Sequence, residues 1–222
     1  VKSKSIEEIS GAELFRIGQN QKIALNEYLA NNFHKRAFDD VDKPLVGLVR
    51  RLVAYKEQGI LIQMAKWITG DRDRGYETPW GKQSGLGANL LVGGHGRDDV
   101  GREWVREFRI MMDHPELKGK FIFINESGIE FMRKAVTASD IWVSMPRATR
   151  EAAGTSDQRA ALNGHYNIAT ATGGPREYVV QGVTGWLIDV FAGRDFAEVV
   201  RRFDRHDGGI VYEFQTKAQK LL

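Results

Sequence analysis

Short apolar runs alternate with amphipathic ones along most of the chain. Runs at 45–49, 89–92, 121–124, 141–144, 166–169 and 186–188 predict strands, and helices are predicted near 57–69, 99–113, 127–137, 156–163, 175–181 and 193–203. Strands that are apolar on both faces and separated by helices predict a parallel sheet covered on two sides. Right-handed crossovers then make the fold a doubly wound α/β sheet. Ahead of this pattern Ser10 and Glu13 have capping-box spacing, and Leu14, Ile17, Leu25, Tyr28 and Leu29 recur at roughly helical intervals. The expected organisation is therefore a lead-in helix and linker over 1–43, a doubly wound domain over 44–206 and a helical tail over 207–222. Apolar side chains in that tail would need a partner surface. The Gly- and charge-rich segment 71–87 carries neither period, so it reads as a functional loop or as disorder.

Composition narrows the setting more than the chemistry. A chain of 222 residues sits at the upper edge of one domain and can bury a large core. Zero cysteines exclude disulfides and thiolate metal sites, which fits a reducing compartment. No apolar run approaches the length of a bilayer span, and no charged-then-apolar leader is present, so the expected location is the cytoplasm, with no membrane partner. The chain opens on Val1 rather than methionine, and its true start is expected upstream. Lys+Arg of 32 against Asp+Glu of 29 gives +3, with the basic residues spread rather than gathered. That argues against a nucleic-acid partner and leaves room for a local basic pocket holding a small anion. No spacing of His with Asp or Glu makes a metal site.

The densest candidate chemistry lies in 147–164. Glu151 stands just ahead of the small-residue turn Ala153-Gly154-Thr155-Ser156, after which a helix begins. Such a turn leaves N–H groups free at a helix N-terminus, where they can hold a phosphate. The neighbouring carboxylate could hydrogen-bond sugar hydroxyls. Thr155 and Gln158 also have capping-box spacing, which would satisfy those N–H groups with no ligand, and both readings stay open.

In an open parallel sheet, ligands bind outside the carboxyl ends of the strands. The unusual residues cluster there. Arg50, Arg51 and Lys56 follow the first predicted strand, and Gly93-Gly94-His95-Gly96 the second. Asn125-Glu126 follow the third, 146–156 the fourth, and Thr172-Gly173-Gly174 the fifth. One site with several cations, glycines and at least one acid is expected at that edge. Cations placed directly after buried strands need an anionic partner, and a phosphate or diphosphate fits arginine's fork and lysine's point charge. His95 is either a substrate contact or a loop cap. Ser156 has no base placed by sequence, so a serine nucleophile has little support.

These residues carry a family resemblance. The run Val46-Gly-Leu-Val-Arg-Arg-Leu-Val-Ala-Tyr-Lys56 resembles the basic strand and loop of α-glucan (glycogen and maltodextrin) phosphorylases. Gly93-Gly-His95, Asp140-Ile-Trp-Val-Ser-Met-Pro-Arg147 and Glu151-Ala-Ala-Gly-Thr-Ser-Asp-Gln-Arg-Ala-Ala-Leu-Asn-Gly164 are similar to segments that follow there in the same order. The likeness runs from about residue 12 to 175, while Gly173-Gly-Pro-Arg-Glu177 and Gly182-Val-Thr-Gly-Trp-Leu187 look more like glycogen synthases and related nucleotide-sugar transferases. Both groups share the GT-B architecture of two facing Rossmann-like domains. The resemblance implies that this chain is the carboxyl-terminal, donor-side half, that the amino-terminal domain is absent from it, and that these residues alone are inactive. The implied activity is retaining transfer of a glucosyl-type unit between a donor, either a sugar phosphate or a nucleotide sugar, and a glycan acceptor. A non-catalytic sugar-binding relative is the other reading. The implied catalytic residues are Arg51, Lys56 and Glu151. Arg50, Gly94, His95, Gly154, Thr155, Ser156 and Arg159 would bind substrate or phosphate.

One departure bears on the cofactor. Where the phosphorylases carry the lysine that forms a Schiff base with pyridoxal phosphate, this chain has Arg159. A Schiff base needs a neutral amine, and arginine stays protonated, so covalent attachment of that cofactor there is excluded. Nucleotide-sugar transferases of this fold carry a glutamate at the same point, which Arg159 also is not. The expectation is that Arg159 adds positive charge to the anion site. Eight residues of helix span about 12 Å, too far for a salt bridge back to Glu151 if the whole stretch is helical.

Overall fold

The computed structural model describes residues 9–34, 37–78, 81–148 and 150–189. In chain order the elements are α1 (Gly11–Asn32), β1 (Leu45–Val49), α2 (Ile60–Thr69), a hairpin of β2 (Tyr76–Thr78) and β3 (Gly81–Gln83), and β4 (Asn89–Gly93). There follow α3 (Asp99–Met112), β5 (Phe121–Ile124), α4 (Ile129–Ala138), β6 (Ile141–Ser144), α5 (Thr155–Leu162), β7 (Tyr166–Thr170), α6 (Pro175–Tyr178) and β8 (Gly185–Ile188). Six strands form one sheet in the order β5-β4-β1-β6-β7-β8, every pair parallel. This is the expected doubly wound, Rossmann-like α/β sheet. The predicted helix at 193–203 and the tail at 207–222 lie outside the described residues.

The burial explains why strands, rather than helices, form from these runs. Successive side chains of a strand point to opposite faces, so a strand covered on both sides must be apolar throughout. On β1, Val46 and Leu48 join one core with Leu61, Met64 and Phe108 of α2 and α3, and Leu45 and Val49 join the other with Leu29 of α1 and Phe131 of α4. Phe121 and Phe123 of β5 face the first core, and Ile122 and Ile124 face the second. Phe108 stacks against Phe123 at 5.3 Å between ring centroids.

The lead-in helix starts as its sequence predicts, with the Glu13 N–H donating to Ser10 Oγ at 3.2 Å. It is not separate from the sheet domain. Leu25 and Leu29 are fully buried against α4, and Lys22 bonds Asp140 at 2.7 Å and the Lys43 carbonyl at 3.1 Å. The stretch read as a linker is pinned as well, since the Asn26 amide bonds the Phe38 backbone twice, at 2.6 and 3.1 Å.

Three local expectations shift. The segment 71–87 holds a two-stranded antiparallel hairpin, opened by Asp71 Oδ1 accepting from the backbone N–H groups of Asp73 and Arg74 at 3.0 and 2.7 Å. It leaves the end of α2 and returns at the start of β4, on the amino edge of the sheet. The helix predicted from 57 begins only at Ile60, because residues Ala54–Lys56 take a 3-10 turn closed by Glu57 in a left-handed conformation. The helix predicted over 175–181 is the single turn Pro175–Tyr178.

Candidate active site

The chain runs outward from β1 through β4 to β5, then crosses back to lay β6 against the other side of β1. Loops after β1 and β6 therefore diverge at the point where the strand order reverses, which is where open α/β sheets hold ligands. A cleft of about 320 Å³ opens there, lined by Arg50, Arg51, Lys56, Ser127, Met132, Glu151 and residues Ala153, Gly154, Thr155 and Ser156.

Glu151 is its electrostatic centre. Its Oε2 accepts from Arg50 Nη2 at 2.8 Å and from Lys56 Nζ at 2.5 Å, and the three side chains are only 12, 5 and 7% exposed. Arg50 also donates through Nη1 to Ser144 Oγ on β6 at 2.8 Å, and its buried Nε has no partner. Burial draws the Arg50 guanidinium below its ordinary value, and the Glu151 carboxylate acts against that. Three cations (Arg50, Arg51, Lys56) face one carboxylate in the cleft. Arg51 is exposed, whereas Lys56 is held inward.

The N-terminus of α5 forms the opposite wall. Gly154 is the N-cap and offers no side chain to cap the helix, so of the two readings left open for Thr155 and Gln158 the capping box does not form. Ser156 Oγ is buried there without a partner. Gly174 N–H donates to the Ala152 carbonyl at 2.9 Å, and a Cβ on Gly173 would lie 2.4 Å from the carbonyl oxygens of Glu151 and Ala152. The double-glycine loop after β7 thus supports the backbone that carries Glu151.

Behind this wall Asp157 is buried, with Oδ2 accepting from the Tyr178 hydroxyl at 2.8 Å and Oδ1 unpartnered. Burial pushes the Asp157 carboxyl above its ordinary value of 3.8, with the Tyr178 hydroxyl and Arg50 pulling the other way. Burial and the Asp157 carboxylate together push the Tyr178 hydroxyl up. A carboxyl whose folded pKa is raised contributes stability below its unfolded value, about pH 4, and loses that contribution as pH rises. The unfolding midpoint of Asp157→Asn should therefore climb relative to wild type as pH rises above about 4, in matched thermal melts.

The remaining candidates fall into two groups. Gly94 acts through its backbone: at φ +150, a Cβ there would sit 1.9 Å from the Arg50 carbonyl oxygen. Gly94→Ala should cost about 1–3 kcal/mol in denaturant unfolding by displacing the Arg50 backbone. His95 lies beside the cleft, 3.6 Å from Glu126 Oε1. That carboxylate is held below its ordinary value by the N–H groups of Ser127 and Gly128, with His95 adding to the effect. Arg159 is not brought into the cleft. Ser156, Asp157 and Ala160 form the buried side of α5, which leaves Arg159 on the exposed side. Residues missed by the sequence reading are Ser127, Met132, Ser144, Asp157 and Tyr178, whose roles come from where the crossovers deliver them. Among the described residues, no three His, Asp or Glu side chains are grouped to hold a metal ion.

The fold is consistent with one half of a GT-B transferase: a doubly wound sheet with a cleft lined by cations at its switch point. The sequence profile described as Glycosyl transferases group 1 matches residues 30–208, and the chain belongs to that family. It is 28% identical over 152 residues to a maltodextrin phosphorylase of Thermococcus litoralis, covering 67% of this chain and 17% of that protein. A glycogen phosphorylase of Mycobacterium tuberculosis is 27% identical over 175 residues, covering 78% of this chain and 19% of its own length. Sucrose synthase 2 of Oryza sativa is 29% identical over 185 residues, covering 78% and 21%. The chain thus spans about a fifth of the length of these relatives.

Proposed function

We propose that this chain is the donor-binding domain of a retaining hexosyltransferase that moves a glucosyl-type unit between a phosphate-bearing donor and a glycan. The observation that carries the reading is the buried contact of Arg50 and Lys56 with Glu151, in a cleft roofed by an uncapped helix N-terminus. Arg51 and Lys56 would stabilise negative charge developing on the departing phosphate, helped by Arg50 and by the N–H groups of Thr155 and Ser156. Preorganised donors of this kind are often the largest single catalytic contribution. Glu151 would orient the sugar through its hydroxyls.

Pyridoxal phosphate, implied by the likeness to phosphorylases, does not fit as a covalent group. Arg159 stands where the lysine would, exposed and outside the cleft, and a guanidinium forms no Schiff base. Full-length protein should therefore show no pyridoxal absorbance that survives dialysis. This favours, as second reading, a nucleotide-sugar donor of the glycogen synthase type, to which the Gly173-Gly-Pro-Arg-Glu177 segment is similar. No helix among the described residues is long and apolar enough to cross a membrane, and a cytoplasmic setting is part of this proposal. So is the dependence of turnover on a second, amino-terminal domain.

The deciding experiment gives full-length protein glycogen with either glucose 1-phosphate or UDP-glucose and follows release of phosphate or UDP. Turnover of either donor supports hexosyl transfer and names the donor class. Glucan binding without turnover of either donor establishes the non-catalytic relative instead.

A further inference from the structure

We propose that Glu57 and Arg147 form a positioning latch that holds Lys56 against Glu151, an inference that rests on the donor-binding reading above and adds two residues to it. Glu57 follows Lys56 directly and takes the left-handed conformation, φ 53 and ψ 31, which side-chain-bearing residues rarely adopt. A residue stays in such a region only when its surroundings determine it, and such residues gather at functional sites. Here the determinants are visible. The Glu57 N–H donates to the Ala54 carbonyl at 3.2 Å, and the Glu57 carbonyl accepts from the Ile60 N–H at 3.1 Å. Its carboxylate, only 5% exposed, is ion-paired with Arg147 Nε.

Arg147 belongs to the loop after β6, four residues ahead of Glu151. Its backbone N–H donates to the Tyr55 carbonyl at 2.7 Å. The two loops are thus joined on both sides of Lys56: at Tyr55 through the backbone and at Glu57 through the side chain. Asp98, the N-cap of α3, anchors the same turn, its Oδ2 accepting from the Ala54 N–H at 2.9 Å. Held in this way, Lys56 cannot swing to solvent, as free lysines do. The latch also resolves a conflict of charge. An acid directly after an anion-binding lysine would cancel it, but Glu57 faces the opposite way, into a groove it shares with Ala54, Gly59, Trp104 and Arg147, where the guanidinium neutralises it.

The test uses Arg147→Met and Glu57→Asn in the full chain, asparagine being tolerated in the left-handed region, with Arg147→Lys as the conservative rescue. Competitive amine labelling, read by mass spectrometry, reports access to Lys56 without any ligand. Lys22 is the internal control, since it is equally buried and paired with Asp140 at 2.7 Å. Labelling of Lys56 should rise about tenfold in both variants, a coupling within the range for contacting groups, with Lys22 unchanged and Arg147→Lys intermediate. In parallel, calorimetric titration with glucose 1-phosphate and with UDP-glucose should show a similar loss of affinity in both variants. Unchanged labelling of Lys56 overturns the latch, and so does a parallel rise at Lys22, which would mean general loosening. Raised labelling with undiminished affinity overturns its positioning role. If wild type binds neither probe while Lys56 labelling still responds, the latch stands and the donor reading fails.

Discussion

Replacing Glu151 by glutamine should lower the unfolding free energy by about 3–5 kcal/mol, the cost of removing one partner from a buried ion pair. Arg50 cannot escape the loss. It is buried and tied on its other side to Ser144, so its guanidinium would remain in the interior beside the Lys56 ammonium without the carboxylate that pairs them both. Glutamine matches the shape of the missing side chain and can offer one oxygen, but it adds an NH₂ pointing at two cations. In a chain of this size each kcal/mol moves the midpoint by about 2–4 °C, so a fall of roughly 10 °C is expected in thermal melts. An anion should restore part of it. Phosphate that binds the folded state alone raises stability as the logarithm of its concentration over Kd, and the variant, having lost its internal carboxylate, should gain more than wild type does. Equal midpoints with and without Glu151, or equal phosphate gains, would remove Glu151 from the centre of the site. Transfer should fall as well, but the phosphate response separates the charge role from the sugar-orienting one.

The sheet was legible because a strand buried on both faces has to be largely apolar, and β1, β4, β5 and β6 each read that way, with only Asn89 opening β4 and Ser144 closing β6 as polar positions. Placing the site needed only one further step, that loops following parallel strands share an edge; this brought Arg50, Arg51, Lys56, Glu151 and the Gly154 turn together. What failed to show was whatever depends on distance between elements. The hairpin at 76–83 has strands of three residues, half exposed or fully exposed, too short to display a period. Arg159 looked like a cleft residue because the motif places it there, but the burial of Ser156 and Ala160 decides which side of α5 turns outward. Motif spacing also cannot reveal that Arg147 reaches Glu57 or that Tyr178 reaches Asp157, since each pair joins residues delivered by different crossovers. Arg50 is the subtler case. Its sequence reading as a neighbour of the phosphate-holding pair understated it, for it is the most constrained cation in the cleft.

Lys56→Met should reduce transfer by about 10²–10³-fold in kcat while leaving stability nearly intact, the loss typical of deleting one preorganised donor at a site of developing charge. Methionine keeps most of the apolar stem that fills the pocket, and Glu151 retains Arg50 as its partner at 2.8 Å, so no charge is left alone. Arg51→Met makes the informative comparison. Arg51 lines the same cleft but is exposed, and an exposed charge acts through water and is screened by salt. Its loss should appear mainly as a several-fold higher KM for the donor, shrinking as ionic strength is raised to about 0.5 M. The deficit of Lys56→Met should persist at the same salt, because a buried ammonium is screened far less. Initial rates of both variants across donor and salt concentrations test this order. A Lys56→Met enzyme that recovers in high salt, or one no worse than Arg51→Met, would mean that Lys56 only attracts the donor and does not meet the charge that forms as the bond to phosphate breaks.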